Sequence, residues 1–182
     1  MAVGNFAHLA EFDPALAALG RFSERYFFED PNTSLLKTRQ FAERFTLIIG
    51  ETLGVDLERT ETFSEMLRVL QVDRAAPHEI LDILHRLRKT GNRAAHDLHG
   101  ERREAFDAIK LCHQLGVWMR AVRTGAPKLT IAFKPPRIEE DASTELKARV
   151  AELEKRLQAQ ETEAERLERE ARHAEQARLT AE

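Results

Sequence analysis

Eleven consecutive residues carry the densest polar chemistry of this chain: Arg86-Leu87-Arg88-Lys89-Thr90-Gly91-Asn92-Arg93-Ala94-Ala95-His96. An imidazole can give or take a proton near neutral pH. A guanidinium can hold a phosphate on two of its oxygens, and a row of cations attracts a polyanion. Read as a helix with Leu84 at the centre of its buried stripe, the segment turns about 100° per residue. Gly91 and Ala95 then fall within about 20° of that centre, and Arg88, Asn92 and His96 at about 40°, 80° and 120°. Arg86, Lys89 and Arg93 lie between about 140° and 200°, toward solvent. The expectation is three layers: a close-packing Gly/Ala surface, a polar edge with His96 and Asn92 at the lip of a groove, and a basic outer face. Plainer roles fit the same pattern. Glu79 and Asp82 come early and the cations late, as the helix dipole prefers. Asn92 and His96 would serve equally as hydrogen-bonding groups within a bundle, and Arg88 as half of a salt bridge.

Elsewhere the chemistry thins. His78, His85, His99 and His113 have no spacing with carboxylates that builds a metal site. Cys112 sits among apolar residues, as a buried inert thiol would. The glycines are isolated and form no phosphate loop. No metal and no cofactor are expected.

Helices must position the cluster. Asp13-Pro14 opens the first, with Leu16, Leu19, Phe22, Tyr26 and Phe27 as its apolar positions, and Asp30-Pro31-Asn32 breaks it. A second is expected from about Thr33 to Gly54, with Leu36, Phe41, Phe45, Ile48 and Ile49 inward. Thr62 and Glu65 make a capping box for a short third helix ending near Val72. The fourth starts at Pro77 and places Ile80, Leu84, Leu87, Gly91, Ala94 and Leu98 on one face. The fifth holds Phe106, Ile109, Leu115, Trp118, Met119 and Val122, and ends at Gly125. Leu129 to Phe133 alternates weakly before Pro135-Pro136, which suits an extended arm or edge segment. About five helices without a run of strands predict an all-α helical bundle.

The tail differs. From Ser143 on there are ten acidic residues against eight Lys and Arg, and no Phe, Trp or Tyr lies beyond Phe133. Leu146, Val150, Leu153, Leu157, Gln160, Ala164, Leu167, Ala171 and Ala174 alternate by four and three, the seam of a coiled coil. The domains expected are a bundle over 1–128, a Pro-containing linker over 129–142 and a long coiled-coil helix over 143–182. With no stop signal at Glu182, the helix is expected to continue into a longer chain. A net charge of −3 excludes a generally basic nucleic-acid binder but not a local patch. No apolar run approaches the ~20 residues of a membrane span and no secretory leader is evident, so a cytoplasmic protein without membrane contact is expected.

Two segments carry a family resemblance. Tyr26-Phe27-Phe28-Glu29-Asp30-Pro31-Asn32-Thr33-Ser34-Leu35-Leu36-Lys37-Thr38-Arg39-Gln40-Phe41, with the run from Arg86 to His96, resembles the N-terminal helical domain of the R (HsdR-type) subunits of type I restriction systems. The resemblance covers roughly residues 5 to 125. It implies a bundle similar to the HEPN superfamily of defence and toxin systems, followed by a coiled-coil linker toward nuclease and helicase modules. Many HEPN proteins are metal-independent RNases whose motif is an Arg, four to six residues, then a His, often with a polar residue directly after the Arg. Asn92 and His96 match the polar residue and the His, but Gly91 occupies the Arg slot and Arg88 is separated from His96 by seven residues. Arg88 therefore lies about 12 Å from His96 along the axis, too far for both to grip one phosphate without a dimer partner.

Three functions follow as expectations. The preferred one is a non-catalytic accessory module of a restriction-type protein, contacting DNA or RNA through Arg86, Lys89 and Arg93, or contacting other restriction-system subunits, and dimeric through bundle or tail. The second is a HEPN ribonuclease using His96, Arg88 and Asn92. The third is a pure oligomerisation module.

Overall fold

A computed structural model describes residues 4–97, 100–126, 130–137, 149–158 and 160. They form two compact units, 1–136 and 137–182. In the first, a 3-10 turn at Ala7–Leu9 precedes five α-helices: α1 (Pro14–Tyr26), α2 (Pro31–Leu53), α3 (Phe63–Val72), α4 (His78–Asp97) and α5 (Arg102–Thr124). No strand occurs among the described residues. The all-helical reading holds.

Local chemistry sets the helix ends. The Asp13 carboxylate accepts from the Leu16 amide at 2.5 Å with Pro14 following it, and Asp30 accepts from Thr33 at 3.0 Å with Pro31 following. Each carboxylate satisfies a backbone N–H that the first helical turn leaves without a partner. Asp30-Pro31 thus starts α2 two residues before the expected Thr33, after α1 has already ended at Tyr26. Gly54 and Gly125 close α2 and α5 at φ 72° and 64°, left-handed conformations that suit glycine. The Thr62–Glu65 capping box forms in both directions.

The long α2 is the centre of the bundle and packs on α1, α3, α4 and α5. Its Phe41, Phe45 and Ile49 are fully buried, while Leu36 and Ile48 pack at the margin. One expectation for α1 fails: Phe22 is 42% exposed. The inward face is Leu16, Ala17, Gly20 and Ser23, because the fully buried Phe6 lies directly on Gly20. Small residues admit the ring, so the helix turns Phe22 outward. On α5, Ile109, Leu115 and Met119 are buried, but Val122 is 39% exposed.

Residues 130–137 form no strand. This arm is held at Lys134, whose amide donates to Asn5 Oδ1 at 2.7 Å and whose carbonyl accepts from Asn5 Nδ2 at 2.6 Å. Phe133 packs edge-on against His113 and Phe106. Leu98, His99 and Leu129 lie outside the described residues, as does most of the heptad seam. In the second unit residues 149–158 are helical, with Val150, Leu153 and Leu157 exposed.

Candidate functional site

The Arg86–His96 segment lies on the last three turns of α4. Its buried stripe is Ile80, Leu81, Leu84, Leu87, Gly91 and Ala94. Arg86, Lys89, Arg93 and His96 are exposed, and Arg88 and Asn92 are half-buried. Ala95 corrects the expectation: it is exposed, and Ala94 is the residue that packs. Ala94 sits on the opposite side of Leu84 from Asn92, so the packed face leads away from His96. The imidazole then stands on an open surface, about 160° round the helix from Ala94, with no groove lip of the expected kind.

Gly91 does admit a close neighbour, though what lies on it is a side chain of α2. A β-carbon there would meet Arg39 Cβ at 2.4 Å and Arg39 Cγ and Cδ at 2.9 Å. Gly100 is similarly close to the Asn32 backbone. As α4 and its exit advance from 91 to 100, the partner on α2 recedes from 39 to 32, so the two helices run antiparallel. The two segments that carry the family resemblance therefore meet along one seam.

That seam holds unusual electrostatics. The Nε atoms of Arg39 and Arg88 are both sealed from solvent without a hydrogen-bond partner. Among the described residues neither guanidinium has an ion-pair partner. A buried donor left unpaired costs about 1–3 kcal/mol, so the free protein leaves this place unsatisfied. Burial, and then the charges of Arg88 and Lys89, lower the His85 pKa below its usual value. The local field is positive.

The outer side of α4 faces α5 across a groove of about 320 Å³ lined by Arg86, Thr90, Arg93, Arg103, Glu104 and Asp107, among others. Arg93 forms an ion pair with Glu104. Part of the basic face is thus neutralised within the fold, by a carboxylate of α5 that inspection of α4 alone does not bring in. Arg86 and Lys89 have no such partner among the described residues. Arg39 was also missed from the site; its signal was an arginine at the edge of the buried stripe of α2, inside the first resemblance segment. Cys112 is fully buried, its thiol pushed well up by burial, and its Sγ lies 3.7 Å from the Thr38 carbonyl oxygen. Among the described residues no three His, Cys, Asp or Glu side chains group as metal ligands, and no helix is long and apolar enough to cross a membrane.

The site thus defines a class: a helical bundle in which one helix gathers four Arg and Lys between Arg86 and Arg93, and whose seam holds Arg39 and Arg88 without an ion-pair partner among the described residues. Comparison with known proteins adds a relationship. The chain is 31% identical over 114 residues to the type I restriction enzyme EcoKI endonuclease subunit of Escherichia coli (strain K12). The match takes in 63% of this chain and 10% of that relative, so the chain spans about a tenth of the relative's length. This places it in relationship with a restriction-enzyme subunit. No protein-family model and no solved structure matches the chain.

Proposed function

We propose that this chain is an accessory binding module of a type I restriction endonuclease, a HEPN-like bundle that contacts nucleic acid through α4 and does not itself cut. The observation that carries the reading is the stretch from Ile83 to His96, with four Arg and Lys and no Asp or Glu, in a chain related to a restriction-enzyme subunit. Arg86 and Lys89 supply most of the outward charge, since Glu104 engages Arg93. His96 and Arg88, about 12 Å apart along the axis, are poorly placed to act on one phosphate within a single protomer. The other restriction-system subunits are the further partners of this reading, and pairing of the tail would make the module dimeric.

Gel retardation tests it, with labelled single- and double-stranded DNA and RNA scored for both binding and cleavage. The expected result is salt-sensitive retardation without cleavage, weakened several-fold in Arg86→Ala/Arg93→Ala and unchanged in His96→Ala. RNA cleavage that disappears in His96→Ala would replace this reading with a ribonuclease. Absence of retardation at low salt would leave protein tethering.

A further inference from the structure

We propose that Arg39 of α2 and Arg88 of α4 form a two-arginine clamp for a phosphate group in the seam between these helices. This deepens the nucleic-acid reading by naming the group that grips the ligand, and it rests on that reading.

Gly91 puts both residues on the same stretch of the seam. The aliphatic stem of Arg39 lies on Gly91, and Arg88 precedes Gly91 by three residues, about 4.5 Å along the axis and about 60° round it. Glycine at 91 is what lets the Arg39 stem lie against α4, since any β-carbon would take that space. Both side chains are half-buried, so their charges are held by the packed helices and not by flexible loops. Both Nε donors are sealed and unpartnered. Glu43, one turn beyond Arg39 on α2, makes no ion pair with it.

Two arginines in one seam, half-buried and without an ion-pair partner among the described residues, favour the arrival of an anion. The anion's chemistry follows from the donors. Each guanidinium offers a planar fork that fills the two oxygens of a carboxylate by itself. Two forks need more acceptor oxygens than one carboxylate has, and a phosphate supplies them. Lys89, next to Arg88 and about 100° further round the helix, carries the positive surface outward from the seam.

The source of the phosphate is either the backbone of a nucleic acid or a free phosphate group, and two probes separate them. The first is fluorescence anisotropy of a labelled single-stranded oligonucleotide across a salt series. The second is the melting temperature of the protein with and without inorganic pyrophosphate. Both use the full chain, Arg39→Gln/Arg88→Gln, Arg39→Lys/Arg88→Lys, and the control Arg21→Gln/Arg25→Gln on α1. Unchanged far-ultraviolet circular dichroism in each variant establishes that the fold is intact.

The expected result is an at least tenfold loss of oligonucleotide affinity in the glutamine pair. Its log–log salt slope should fall by about 1 to 2, since each lost phosphate contact removes roughly 0.7 to 0.9. The lysine pair, which keeps charge but not the fork, should fall in between, and the α1 control should bind as wild type. Pyrophosphate raising the wild-type melting temperature but not that of the glutamine pair, with no oligonucleotide binding, would keep the clamp, assign it to a free phosphate and end the nucleic-acid reading. Equal oligonucleotide affinity and slope in wild type and the glutamine pair would overturn the clamp and leave the outer face as the contact. A glutamate-rich peptide that binds in place of both probes, and loses binding in the same variant, would overturn the phosphate assignment.

Discussion

Two glycines show how much single atoms decide in this bundle. At Gly20 an added methyl would lie 2.3–2.6 Å from three atoms of the Phe6 ring, which is fully buried and has nowhere to go. At Gly91 the obstacle is Arg39, a half-exposed chain whose outer atoms can swing but whose Cβ, at 2.4 Å, moves only with α2. Alanine gains about 1 kcal/mol of helix propensity at either position, while overpacking typically costs about 1–3 kcal/mol. Overpacking should win at both sites, and by more at Gly20. Urea denaturation of Gly20→Ala and Gly91→Ala checks this. A Gly91→Ala variant as stable as wild type would mean that Arg39 does not need the space. The same logic explains why Phe22 could not be placed from spacing alone. Periodicity registers large apolar residues, and here the packed face of α1 beyond Leu16 is made of small ones.

At the scale of elements, the caps and glycine stops were legible because each is a local bargain between a side chain and the backbone beside it. Asp13 even carries a second partner that sequence does not display, accepting two bonds from Arg44 of α2 at 2.7 and 2.5 Å. What could not be read was contact between elements: Arg39 against Gly91, Glu104 against Arg93, and Asn5 against the arm. The arm also gives a pH dependence. Phe133 rests on His113, which lies beside His8, and each imidazole has a sealed Nε2 without a partner. Burial, and then the charge of His8, lowers His113 below its ordinary value of 6.5, and burial lowers His8 likewise, opposed by the Gly116 backbone and aided by Arg120. The unfolded chain takes up these protons as pH falls through 6.5, before the folded protein does. Stability is therefore complete above that pH and declines below it. Glu24 opposes the trend: burial raises its carboxyl above 4.5, so the folded state takes that proton first and gains stability as pH falls toward 4.5. The histidines should dominate just below neutrality. Melting temperature should drop between pH 7.5 and pH 5.5, and the drop should shrink in His113→Gln. A flat profile for wild type would mean that water reaches both rings.

For the molecule as a whole, the tail carries what the bundle does not use. Val150, Leu153 and Leu157 are 47%, 54% and 58% exposed along one helical seam, and the Glu152–Arg156 pair at 3.0 Å supports that helix along its own length. Apolar residues at this spacing are covered when two such helices pair. Sedimentation equilibrium should therefore give a mass that rises toward the dimer with concentration, and Leu153→Glu/Leu157→Glu should hold it at the monomer. A wild-type mass that stays monomeric throughout would remove the tail from any account of assembly.

The bond between Asn5 and Lys134 joins positions 129 residues apart in the chain. The segment ahead of the first helix is thus clasped to the arm behind the last. Undoing that clasp frees both at once, so fraying that starts at either is felt at the other.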